Sequence, residues 1–190
     1  MPRVADRLLA LCSLGLLALP CGGQAAEPAV RDQDVHVERA YGGFVVDVVM
    51  HTPVRPAQAW AVLTDFEHMA SFVSNLKSSR VLERSEGVLK VHQQGVVRYG
   101  LFSANFESLR EIRLTPYSEI HAHGLGGNLQ RMESLMRLEP EDGGTRLNYH
   151  AEALPGFWFP PMIGPALVRH ETAEQFSAML DEMRRRQERE

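Results

Sequence analysis

Cysteine is nearly missing from this 190-residue chain: there are two, Cys12 and Cys21, both close to the N-terminus. Beyond them, disulfide frameworks, thiol catalysis and thiolate metal sites are excluded together. An excess of positive charge is missing too. Twenty basic residues face 24 acidic ones, for a formal charge of -4. No broad basic surface is available to neutralise a phosphate backbone, so nucleic acid is excluded as a partner. Repeats and low-complexity blocks are absent, and with 44% hydrophobic and 23% charged residues the composition is that of a globular protein. The longest apolar run, Leu8 to Leu19, spans only about 18 Å as a helix, too short for roughly 30 Å of hydrocarbon.

That run follows Arg3 and Arg7, ends at Pro20, and precedes the small-residue stretch Gly23-Gln24-Ala25. Basic, apolar and small-residue regions in this order predict a signal peptide over residues 1–25, hence a periplasmic or secreted protein. An uncleaved N-terminal membrane anchor is the alternative. A lipoprotein is not expected, because Leu11 and Pro20, not small residues, precede the two cysteines.

Residues 26–42 read as a polar lead-in, and residues 43–187 as one domain. Phe44, Val46, Val48 and Met50 alternate with Val45, Asp47, Val49 and His51, which predicts a first strand. Pro56 then opens a short helix carrying Trp60 and Leu63, and Asp65 reads as the N-cap of a second, Phe66 to Phe72. Strand periods follow at residues 79–84, 89–94, 103–114, 119–124, 129–138 and 145–153, separated by short turns such as Glu141-Asp142-Gly143-Gly144. Short connections predict an antiparallel meander. A final helix from Pro160-Pro161 to Gln187 carries an apolar stripe of Ile163, Leu167, His170, Ala173, Phe176, Leu180 and Met183. Arg169, Glu171, Glu174, Gln175, Asp181 and Glu182 are expected on its solvated side.

The expected fold is thus α+β: a curved seven-stranded antiparallel sheet around a long C-terminal helix, with two short helices after strand one. The short helices plug only one end, so space is left between sheet and helix. In this order of elements, and in Ala59-Trp60-Ala61-Val62-Leu63-Thr64-Asp65-Phe66-Glu67, Arg131-Met132-Glu133 and Gly144-Thr145-Arg146-Leu147-Asn148-Tyr149, the chain resembles the START-like helix-grip (SRPBCC) superfamily. Within it the resemblance is to the polyketide cyclase/dehydrase and lipid transport family, and more narrowly to coenzyme Q-binding proteins. It runs from about Phe44 to Arg186. It implies an apolar ligand, an isoprenoid quinone or another lipid, with no cofactor and no catalysis required. The alternative is a cyclase- or dehydratase-type enzyme acting on a polyketide-like substrate in the same cavity.

The candidate cavity residues are Trp60, Phe66, Met132, Ser134, Met136, Tyr149, Phe157, Trp158, Met162, Ile163, His170 and Phe176. Flexible methionines and flat aromatics suit a pliable apolar ligand, and also simple core packing. For an enzyme, Tyr149, Ser134, Gln93 and His170 are the candidate polar groups; no nucleophile–base dyad or phosphate-cradling loop accompanies them. His121-Ala122-His123 and His150-Ala151-Glu152 place imidazoles on one side of a strand, but alternation with Ile120, Ala122, Tyr149 and Ala151 turns them outward, so no metal site is expected. The basic run Arg184-Arg185-Arg186 reads as a solvated helix end, although transient contact with a membrane surface fits it as well.

Overall fold

A burial period of two builds the sheet. In strand β2 (Gly43–Thr52), Phe44, Val46, Val48 and Met50 are buried while Asp47, Val49 and His51 are exposed. The computed structural model, which describes residues 29–156 and 163–189, repeats this pattern along β4 (Val88–Tyr99), β6 (Glu119–Gly127), β7 (Leu129–Glu141) and β8 (Gly144–Pro155). With β1 (Val35–Ala40), β3 (Leu76–Ser85) and β5 (Phe102–Thr115), they form one antiparallel sheet in the order β1-β2-β8-β7-β6-β5-β4-β3. Helix α1 (Pro56–Leu63) follows β2, and helix α2 (Gly164–Gln187) ends the domain. At 24 residues, α2 is about 36 Å long. Among the described residues no helix is long and apolar enough to cross a membrane.

The sheet has eight strands where seven were expected. The extra one, β1, lies in the supposed lead-in and pairs with β2 from Val35↔Val48 to Ala40↔Gly43. Only Val35 and Val37 are buried in it, beside the exposed His36 and Glu38, so its apolar signal is two residues long. Ahead of it, Val30 is fixed to α2 by a reciprocal pair: Val30 N–H donates to Ser177 Oγ, and that hydroxyl donates to Val30 carbonyl, each at 2.9 Å.

The second short helix reduces to a 3₁₀ turn, Met69–Ser71. Asp65 is not its N-cap. Its carboxylate is taken by His68 Nδ1 at 2.7 Å and by Arg186 Nη2 at 2.7 Å. Phe66, Met69 and Val73 are buried all the same.

Helix α2 buries Leu167, Ala173, Phe176, Met179, Leu180 and Met183 against the sheet. The buried stripe is wider than the sequence suggests. Glu171 and Glu182, expected in solvent, are buried, whereas His170, expected inside, is about one-third exposed. A helix lying in a concave trough meets sheet on both flanks, which recruits the positions beside the main stripe.

Near its C-terminus, Arg186 joins Glu182 and Asp65 at 2.7 Å each and lies 5.8 Å from the centre of the Phe72 ring. This is not the free helix end expected for the basic run. Burial alone would raise the Asp65 and Glu182 carboxyls; the hydrogen bonds from Arg186, with His68 and Arg185 assisting, outweigh it and hold both below their ordinary values of 3.8 and 4.5. Their stabilisation is complete above those values and is lost as pH falls through the lowered ones. In thermal melts, Arg186→Met is expected to have a lower Tm than the parent at pH 7, with the gap closing as pH drops below 3.8. A gap independent of pH would mean that the cluster contributes packing alone.

Phe176 is 6% exposed, and its ring meets Tyr149 edge-on at 4.8 Å. Trp60 is only partly buried and tilts against Tyr117 at 5.8 Å. Phe176→Ala is therefore expected to cost roughly 3–5 kcal/mol in denaturant unfolding. Trp60→Ala is expected to cost roughly 1–2 kcal/mol. The reverse order would contradict this packing.

Candidate functional site

Strand parity decides which side chains face α2. On β5, Ile112 is buried, so Ser108 and Arg110 point to the same concave side. Across the neighbouring strands this layer contains Gln93 on β4, Ala122 on β6, Ser134 and Met136 on β7, and Tyr149 on β8. Helix α2 does not fill the space above it. A cavity of about 240 Å³ remains, walled on its apolar side by Phe44, Val97, Phe106, Leu129, Met132 and Leu167, and bordered by polar residues that include Asn75, Gln93, Arg110, Glu171 and Gln175. A smaller chamber of about 80 Å³ lies beyond it, against Phe66, Met69, Ser134, Met136, Tyr149 and Phe176. Arg110 and Gln175 line both.

Parity with Ile112 places Arg110, and the strand beside it is irregular there. Between Leu109↔Gly126 and Arg110↔Gly124 the β5–β6 ladder skips Leu125, a bulge in β6 that leaves the alternation of β5 intact. Opposite Arg110, Gly124 leaves room where a Cβ would come within 3.1 Å of Met132 Cβ. One guanidinium N–H donates to Gln93 Oε1. Gln93 Nε2 donates in turn to Ser79 Oγ at 2.9 Å, which fixes the amide's orientation. Arg110 Nε is buried without a hydrogen-bond partner, and no carboxylate of the described residues pairs with the guanidinium. Burial pulls its pKa below the ordinary value, opposed only by nearby Tyr149. An arginine nevertheless keeps its proton, so a positive charge on a half-buried side chain faces the cavity.

Tyr149 stands next to it. Burial raises its phenol above the ordinary value; Arg110 and a hydrogen bond with Ser134 offset part of that, and the hydroxyl stays protonated. Glu171, 9% exposed, is the acid on the α2 wall, and it is already engaged. Asn75 Nδ2 donates to it at 2.8 Å and Arg98 N–H at 2.5 Å. Asn75 reaches that position because Gly95 lets the chains close up: a Cβ there would lie 2.1 Å from Asn75 carbonyl oxygen.

Of the residues proposed from sequence, Met132 lines the larger cavity, while Phe66, Ser134, Met136, Tyr149 and Phe176 line the smaller. Three stand elsewhere. Trp60 packs on Tyr117 and borders neither chamber, and Ile163 precedes the first turn of α2. His170 meets Asp32 at 3.3 Å, Glu174 at 3.7 Å and the Tyr99 ring edge, outside both chambers. Phe157, Trp158 and Met162 lie outside the described residues. Arg110, Asn75, Glu171 and Gln175 were missed. Parity with Ile112 would have disclosed Arg110; Glu171 and Gln175 gave no signal, because their spacing assigned them to the polar face of α2.

The histidines on β6 and β8 face outward. His121 and His123 share Glu133 as partner, and His150 bonds Asp47 at 2.7 Å. Among the described residues no group of three or more His, Asp, Glu or Cys is placed to hold a metal ion.

The chain is similar in fold to several solved structures. A STAR-related lipid transfer protein from Xanthomonas axonopodis superposes with a TM-score of 0.65 at 12% identity, over 79% of this chain and 92% of that one. The Zhui aromatase/cyclase from Streptomyces sp. R1128 gives 0.63 at 18% identity, over 80% and 96%. A START superfamily protein from Mycobacterium smegmatis gives 0.57 at 15% identity, over 72% and 93%. No curated protein matches the sequence. The family profile described as polyketide cyclase / dehydrase and lipid transport matches residues 52–179, from the end of β2 into α2. With that match over most of its length and an antiparallel sheet clasping α2, the chain belongs to the polyketide cyclase/dehydrase and lipid transport family.

Proposed function

We propose that the protein is an exported carrier for a hydrophobic small molecule, an isoprenoid quinone or another lipid, held between the sheet and α2. The observation that carries this reading is the cavity of about 240 Å³ under α2, whose inner surface is mainly apolar although polar side chains border it. Such a site binds by burial. Each CH₂ withdrawn from water contributes about 0.8 kcal/mol, so a chain of about ten carbons binds well without many polar contacts.

The topology supports a route of entry. The β1–β2, β4–β5 and β6–β7 hairpins and the exit of β8 toward α2 share one end of the sheet, where Asn128, Leu129 and Pro155 border the cavity. Tyr41 and Leu101, at two of these tips, are almost wholly exposed. Apolar tips beside a cavity mouth suit brief contact with a membrane from which a lipid is drawn. A signal peptide over residues 1–25 would put the carrier in the periplasm or outside the cell; N-terminal sequencing of the exported protein is expected to begin near Ala26.

A second reading rests on one observation: protonated Tyr149, in contact with Ser134 and beside Arg110, is a proton donor facing a cavity. That arrangement could serve a cyclase or dehydratase. Native mass spectrometry separates the two. Protein isolated from its own host is expected to carry a lipid or quinone mass that organic extraction removes, and to leave an offered polyketide-like substrate unchanged. Turnover abolished by Tyr149→Phe would establish the enzyme instead. A protein with no bound lipid, which also takes none up from labelled vesicles, would end the carrier reading.

A further inference from the structure

Among the described residues no carboxylate pairs with the charge on Arg110. Gln93 orients the guanidinium but is neutral, and its amide is committed to Ser79 on the other side. Tyr149 remains a phenol, not a phenolate. Glu171 faces the same cavity but is held by Asn75 and the Arg98 N–H, and Glu107, also on the wall, pairs with His92 at 2.7 Å. With its Nε buried and unpartnered, this guanidinium has an oxyanion as its natural complement, whose two oxygens match the planar fork of N–H donors.

Resting on the carrier reading above, we propose that the ligand is an acidic amphiphile: an apolar chain ending in a carboxylate or similar oxyanion that pairs with Arg110. Arg110 stands where the two chambers meet, so the position of the head group follows. The inner chamber of about 80 Å³ is too small for a long chain, whereas the outer one of about 240 Å³ runs toward the hairpin end along Met132, Leu129 and Leu167. The acid is innermost and the tail extends outward. A neutral quinone would leave the guanidinium uncompensated, so it is a poorer fit than an acid of equal apolar area.

Titration of the whole exported protein at pH 7.5 with hexadecanoate, hexadecyl phosphate, hexadecanol and decyl-ubiquinone tests this. At least one anion is expected to bind about tenfold or more tightly than hexadecanol or the quinone, since charge-assisted hydrogen bonds are the strong class. Which anion leads tells a fatty-acid head from a phosphate head. Arg110→Met is expected to erase that preference while keeping or improving hexadecanol binding, with a cooperative melt showing that it folds. The parent protein's series decides even if the variant does not fold. Equal affinity for acid and alcohol would overturn the head-group assignment and leave the carrier intact. Failure of all four probes to bind would remove the carrier and this inference with it.

Discussion

In a sheet whose side chains alternate with a period of two, the pairing register decides at once which residues meet the helix and which meet water. Eight strands paired in one antiparallel sheet give one concave layer, and α2 has to cover it. The helix is well packed where Phe176, Met179, Leu180 and Met183 meet the sheet, and less so along the turn of Leu167, Glu171 and Gln175. Both the cavity and its polar members follow from that uneven cover. So does the position of Arg110, since a shift of one residue in β5 would send its charge to the convex face.

The polar groups in the layer are arranged unequally. Ser79, Gln93 and Arg110 form a directed chain of donors, and Tyr149 with Ser134 forms a second group beside it. Glu171 and Asn75 make a third on the α2 side, enabled by the close approach at Gly95. The first carries a positive charge that no carboxylate among the described residues pairs, and the third a carboxylate held by neutral donors. An interior serving packing alone would gain from an apolar residue at position 110, because isolated buried charge destabilises a fold. The arginine is intelligible when something enters the cavity to meet it.

Much of this architecture was legible in the sequence because period-two alternation is strong wherever one face is fully buried, as from Phe44 to Met50 and from Leu147 to Ala151. It was weak at β1, where two valines stand among charged residues at the edge of the sheet. The turn after Asp65 was misread because an N-cap residue and an ion-pair partner look the same until Arg186, 121 residues away, is seen to reach it. Within the site, the apolar wall could be anticipated from Met132, Met136, Tyr149 and Phe176. Glu171 and Gln175 could not, since helical spacing treats every charged or amide residue beside the stripe as solvated. His170 erred in the opposite direction: it falls at stripe spacing but is drawn outward by Asp32 and Glu174.

The fold brings this chain close to a lipid transfer protein and an aromatase/cyclase alike, so overall shape does not separate carriage from catalysis. The site itself is a chamber of mainly apolar surface that ends at Arg110. The most direct test is a methyl NMR titration of the protein with a long-chain ligand. The central claim predicts that Met132, Leu129, Leu167 and Val97 shift together and saturably, while Val35, Val37 and Leu82 stay in place. Shifts confined to exposed residues, with the cavity methyls unmoved, would contradict it.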